Sequence, residues 1–200
     1  MAGEGKRGYE EPMFLLEVAA SLLVLLNVWL VARRSMWNYA FGIAGTFLYI
    51  FVYFHAKLYS DTLLQGFFTI AQLYGWWQWT RSERQAGEVV VERLGWPARG
   101  TVVVAIAIAT LCWGALVHRY TDAVLPWWDA GVAMVSIAAQ ILMSLRRIEN
   151  WWLWIVANIL TIGLCATRHL WPTAGLYVIL LGLSLWGLVS WTRARQGAPA

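Results

Sequence analysis

The sequence predicts an all-α integral membrane protein of seven transmembrane helices: a three-helix unit, a linker helix, and a parallel second copy of the unit. Three observations predict it. Seven apolar runs are about 17 to 21 residues long, enough to cross roughly 30 Å of hydrocarbon at about 1.5 Å per residue. The chain is 60% hydrophobic and 13% charged, where a soluble domain carries about a quarter charged residues. A shift of 112 residues lays the second half on the first without a gap.

The first run, Phe14–Ala32, follows a polar, acidic stretch without a signal peptide's charge pattern. Residues 1–13 are therefore expected to form a tail. Trp37–Phe54 and Thr62–Thr80 follow after short turns and complete a unit of residues 14–80. Residues 81–125 hold the longest connection, a cytoplasmic loop, and the linker run Thr101–Val117. Trp127–Leu145, Trp151–Thr167 and Pro172–Thr192 form the second unit, residues 126–192, and residues 193–200 a C-terminal tail. A membrane β-barrel needs strands of alternating polarity, and nothing here alternates. Fifteen tryptophans suit a chain whose helix ends meet the lipid–water interface. Trp79 is expected to be one such anchor. Cys112 and Cys165 each lie inside an apolar run and read as small core residues.

Seven spans put the termini on opposite sides. Arg33, Arg34, Arg81, Arg84, Arg93, Arg99, Arg146, Arg147, Arg193 and Arg195 fall on one side, and Lys6, Arg7, Lys57, Arg119 and Arg168 on the other. Ten against five places the N-terminus outside and the C-terminus in the cytoplasm. The basic residues sit at the ends of runs rather than in a block, so they orient the chain and give no sign of nucleic-acid binding.

The 112-residue shift lays Gly75-Trp76-Trp77-Gln78-Trp79-Thr80-Arg81 on Gly187-Leu188-Val189-Ser190-Trp191-Thr192-Arg193, sharing G-x-x-x-W-T-R. Arg34 meets Arg146, Asn38 meets Asn150, and positions 34 to 81 hold 12 identities in 48. A three-span unit ends on the side opposite to its start, so a parallel repeat needs one more crossing. The fourth run supplies it. Parallel repeats with a substrate site between them are a transporter plan.

Few polar groups lie inside the runs. Thr46, Gln72, Thr161 and Ser184 sit near mid-depth, with Asn27, Gln65, Gln140 and Asn158 a turn or two away. An amide in hydrocarbon is costly without a partner. Singly, each is explained by tying one helix to its neighbour; together, they suit a wet pocket. Trp151, Trp154 and Asn158 are spaced i, i+3 and i+7 on one face of the sixth helix. Trp151 also suits interfacial anchoring, but Trp154 and Asn158 lie too deep for it. Two indoles and an amide fit a flat aromatic ring with a hydrogen-bonding substituent, and would accept a cationic ring. Gln65, Gln72, Tyr177 and Ser184 complete the candidate substrate-binding set.

No charged residue falls at the centre of a run, where ion-coupled pumps usually place one. Glu17 and Asp129 open the first and fifth runs, where capping a helix N-terminus is the simpler role than drawing in a cation. No catalytic set, metal site or cofactor motif is present to support an enzyme.

Leu58-Tyr59-Ser60-Asp61-Thr62-Leu63-Leu64-Gln65, Leu73-Tyr74-Gly75-Trp76-Trp77-Gln78-Trp79, Trp128-Asp129 and Glu149-Asn150-Trp151-Trp152-Leu153-Trp154, with Asn158 a turn on, carry a family resemblance. From about Glu17 to Arg193 the chain resembles the PnuC family of vitamin transporters, whose best-known members carry nicotinamide riboside. The resemblance implies a 3+1+3 fold related to the SWEET sugar transporters. It also implies facilitated diffusion with trapping by a cytoplasmic kinase, and a homotrimer in the inner membrane. It places the central site at Trp151, Trp154 and Asn158, with amides of the third helix. Gln72 stands where relatives often have Asn. The expected partner is a small vitamin with a cationic aromatic ring, first nicotinamide riboside and next thiamine, with riboflavin carried by related proteins. A membrane scaffold that moves nothing is the reading from another class.

Overall fold

The computed structural model describes residues 2–55, 59–120, 125–167, 169 and 171–196. Lys57 and Arg168, used in the charge count, and Leu58, which opens the first of the family motifs, lie outside them. Seven helices form among the described residues: α1 (Ala2–Ala32), α2 (Asn38–His55), α3 (Tyr59–Ala86), α4 (Trp96–Tyr120), α5 (Pro126–Ser144), α6 (Glu149–Thr167) and α7 (Trp171–Gln196). Four of them, α1, α4, α6 and α7, are long and apolar enough to cross a membrane by length and composition. Tyrosines, tryptophans and amides lower the hydropathy of the other three, and several of these residues prove to face inward.

Helix ends run past the apolar boundaries. α1 reaches back to Ala2 through the stretch expected as a tail, α3 continues to Ala86, and α7 to Gln196. Hydrocarbon thickness limits the apolar run, not the backbone hydrogen bonding, which continues into water. Glu17 consequently lies well inside α1 and caps nothing, whereas Asp129 sits in the first turn of α5.

α1 packs on α2 and α2 on α3; α5 packs on α6 and α6 on α7. Contacts α1–α7 and α3–α5 close the ring, and α4 packs on α5 outside it. Gly114 lets α4 approach, because a Cβ there would strike the Trp127 ring. Cys112 faces outward from α4, contrary to the core position expected, while Cys165 is buried.

Positions 112 residues apart make matching contacts. Tyr39 and Trp79 meet edge-on at 5.4 Å, and Trp151 and Trp191 at 5.5 Å. Trp79 Nε1 donates to Met143 O at 3.2 Å and Trp191 Nε1 to Val31 O at 3.0 Å, each reaching across to the other half. Gly75 clears the Tyr39 ring as Gly187 clears the Trp151 ring. Trp79 and Trp191 are both 0% exposed. Trp79 is thus a core residue and not an interfacial anchor: α3 extends past it, and its indole closes the seam with α5.

The segment between α3 and α4 is folded under the bundle. Val89 and Val91 are buried against Val31, Ala32, Tyr39, Trp79, Ile148, Trp151 and Trp191. Arg34 and Arg146 hold it from the α1–α2 and α5–α6 turns, with left-handed φ values of 59° and 58°. Arg34 donates to Val89 O at 3.2 Å and pairs with Glu88 at 3.1 Å. Arg146 donates to Val90 O at 3.0 Å and Gln78 O at 2.8 Å. Glu92 forms a parallel bridge with Arg147 and an ion pair with its side chain. Glu149 accepts from Leu94 N at 3.1 Å and pairs with Arg99 at 2.7 Å.

Candidate functional site

A cavity of about 180 Å³ lies inside the helix ring, lined by every helix except α4. From α6 come Trp151, Trp154 and Asn158, from α3 Gln65, Phe68 and Gln72, and from α7 Leu176, Tyr177, Leu180 and Ser184. All seven residues of the candidate set line this one space. Of the eight polar residues noted inside the runs, Thr161 alone is not in the lining; its hydroxyl donates to Ala157 O at 2.8 Å.

The indole face comes from the i, i+3, i+7 spacing on α6. Trp154 is partly buried and lies 6.5 Å from Phe68 across the cavity-lining helices. Trp151 is 1% exposed, and packs edge-on against Trp191 while lining the cavity. It forms part of the cavity floor and is not exposed as an interfacial anchor would be. Asn158 Nδ2 donates to Ser184 Oγ at 3.1 Å, and Ser184 donates on to Leu180 O at 2.8 Å, which fixes the amide.

The opposite half supplies amides. Asn27 Nδ2 donates to Asn38 O at 2.7 Å. Gln72 Nε2 reaches Thr46 Oγ1 at 3.5 Å, and Thr46 donates to Gly42 O at 3.1 Å. Gln72 Oε1 and Trp151 Nε1 are buried with no hydrogen-bond partner among the described residues. One is an acceptor, the other a donor, and each costs on the order of 1–3 kcal/mol if left so. A ligand with complementary groups removes that cost.

None of the lining residues is Lys, Arg, Asp or Glu. Asp61 stands just outside the third apolar run, its carboxyl pushed up by burial and further by the charge of Asp129. No cluster of metal-ligating side chains occurs among the described residues.

Gly42, Tyr49 and Tyr53 also line the cavity and were not in the candidate set. With Thr46 they fall at i, i+4, i+7 and i+11, one face of α2. That spacing was readable, but α2 carries further Tyr and Phe on its other faces, which masks it.

The profile of the protein family described as "Nicotinamide mononucleotide transporter" matches residues 14–193. Nicotinamide riboside transporter PnuC of Escherichia coli (strain K12) is 27% identical over 217 residues, 96% of this chain and 90% of that protein. Riboflavin/roseoflavin transporter RibM of Streptomyces davaonensis is 27% identical over 203 residues, 96% of this chain and 95% of its own. A solved structure, the crystal structure of the vitamin B3 transporter PnuC, superposes with a TM-score of 0.76 at 31% identity, covering 91% of this chain and 82% of that one. Since the profile match runs through every helix of the bundle, the chain belongs to the nicotinamide mononucleotide transporter family and is a multi-pass membrane protein.

Proposed function

We propose that this protein carries nicotinamide riboside across the inner membrane by facilitated diffusion, with Trp151, Trp154, Asn158, Gln65, Gln72, Tyr177 and Ser184 forming the substrate site. The observation that carries the reading is a cavity lined by indoles and amides and by no charged side chain. A cationic pyridinium ring suits the indole faces, and a carboxamide suits an orphaned amide oxygen and indole N–H. The phosphate of the mononucleotide in the family's description finds no cation there, and an unpaired buried dianion is prohibitive. The riboside is the form that fits.

Riboflavin is the second reading, favoured by the similarity to RibM over 96% of the chain. Against it stands the chemistry of the ring: isoalloxazine is neutral and gains no cation–π attraction from the indoles, whereas a pyridinium does. Thiamine shares the cationic ring and remains a comparison for the test.

The matching contacts at 112-residue separation support two parallel three-helix repeats, α1–α3 and α5–α7, joined by α4. The Lys/Arg asymmetry supports an external N-terminus and a cytoplasmic C-terminus. The uncharged site supports passive transport, since it holds no carboxylate, lysine or arginine of the kind that usually carries a coupled ion. A cytoplasmic kinase then keeps the product inside, and the family resemblance extends to a homotrimer.

Purified protein in vesicles, with the membrane potential clamped at zero, tests this. Labelled nicotinamide riboside is expected to reach equal concentrations on both sides, whatever pH or sodium gradient is imposed. The mononucleotide, riboflavin and thiamine should enter far more slowly. Uphill accumulation on a gradient defeats the passive reading, and faster entry of another compound defeats the substrate.

A further inference from the structure

We infer that Gly42 is a positioning residue: its missing side chain leaves the room in which the Gln72 and Asn27 amides form the polar, specificity-determining wall of the cavity. The inference rests on the transport reading above for its ligand, though not for its geometry.

Gly42 lies inside α2 with an ordinary helical backbone, so conformational freedom does not explain it. Glycine is the poorest helix former after proline, and its use here calls for a packing reason. A Cβ at this position would overlap Gln72 Oε1 and come within 2.5 Å of Asn27 Nδ2. Both amides therefore occupy the volume that any other residue would fill. Asn27 is held from behind by its 2.7 Å bond to Asn38 O. Gln72 is tethered only by the 3.5 Å contact to Thr46, and its Oε1 has no partner among the described residues.

The same position in the second half shows what the glycine accomplishes. Adding 112 to 42 gives 154, and Trp154 stands there; 46 becomes Asn158 and 72 becomes Ser184. The pair Thr46–Gln72 and the pair Asn158–Ser184 both make contact, at 3.5 and 3.1 Å. One half thus places the largest side chain where the other places none. The cavity becomes two-faced, an aromatic surface from α6 against amides from α1 and α3. A ring can lie on the first while its hydrogen-bonding substituent is read by the second.

The test couples Gly42 to Gln72 with nicotinamide riboside as the probe. Gly42→Ala is expected to weaken binding on the order of tenfold or more, the equivalent of one lost hydrogen bond. Asparagine is one methylene shorter than glutamine, so Gly42→Ala/Gln72→Asn withdraws that amide from the added methyl and should recover part of the loss, the overlap with Asn27 remaining. Equal affinity of Gly42→Ala and the parent overturns the inference, as does a double variant no better than the single one. Thermal melts of the unliganded proteins supply an arm that needs no substrate. A Gly→Ala change inside a helix ordinarily raises stability; here the overlap with Asn27, held by its bond to Asn38 O, should lower the melting temperature, and Gln72→Asn should restore part of it. Absence of riboside binding by the parent defeats the substrate reading alone, since the melts still decide the positioning.

Discussion

Replacing Trp154 with alanine is expected to weaken riboside binding about five- to a hundredfold while the protein still folds. Stacking of a ring on an aromatic side chain is worth about 1–3 kcal/mol, which sets that range. Trp154 lines the cavity and is only partly buried, so its removal mainly enlarges the site. Trp151, three residues earlier, should behave differently. It is 1% exposed, meets Trp191 edge-on, and fills the groove left by Gly187. Trp151→Ala is expected to cost about 3–5 kcal/mol of stability before affinity can be read. Titration calorimetry on detergent-purified protein, with size exclusion as the check on folding, separates the two. Parent-like binding by Trp154→Ala would place the ring elsewhere.

The contrast marks a limit of reading the sixth helix from spacing. The i, i+3, i+7 pattern identifies the face shared by Trp151, Trp154 and Asn158. It does not say that one indole is wedged into the seam between halves and the other left at the cavity. That distinction depends on Trp191 and Gly187, which come from α7, and on Val89 and Val91, which come from a connecting segment.

Arg146→Ala is expected to be among the most destabilising single changes outside the apolar core. Its guanidinium donates to Val90 O and Gln78 O and lies 3.9 Å from Glu92, with a side chain only 18% exposed. Hydrogen bonds to charged groups contribute about 1.5–3 kcal/mol each, so the loss is on the order of 3 kcal/mol. The backbone offers an internal control. With φ at 58°, alanine keeps the left-handed strain and glycine removes it. Arg146→Gly should therefore melt above Arg146→Ala, by roughly 1 kcal/mol in stability, although both lose the same side chain. Thermal melts of the three proteins check this. A melting temperature for Arg146→Ala within about a degree of the parent would mean that the buried valines, with Arg34, Arg147 and Glu149, hold the 87–95 segment without it.

Lengths of apolar runs, spacing of polar residues and sums of charge are local properties, and these the sequence determined by itself. They yield seven helices, the Arg-rich end, the 112-residue offset and a short set of residues that all reach one cavity. Lateral neighbours were decided only by the tertiary structure. In lipid the outside of a helix is as apolar as its packed side, so hydrophobic periodicity loses the contrast that marks the inward face of a soluble helix. Hence Trp79 looked like an anchor and is core, and Cys112 looked like core and faces out. Gly42, silent in composition, acquires meaning only when α1 and α3 bring Asn27 and Gln72 into the space it leaves. Segment 87–95 reads as a polar connection, yet Arg34 and Arg146, more than a hundred residues apart in the chain, draw it under the bundle. Such contacts join distant positions through backbone carbonyls, which carry no side-chain signature for the sequence to display.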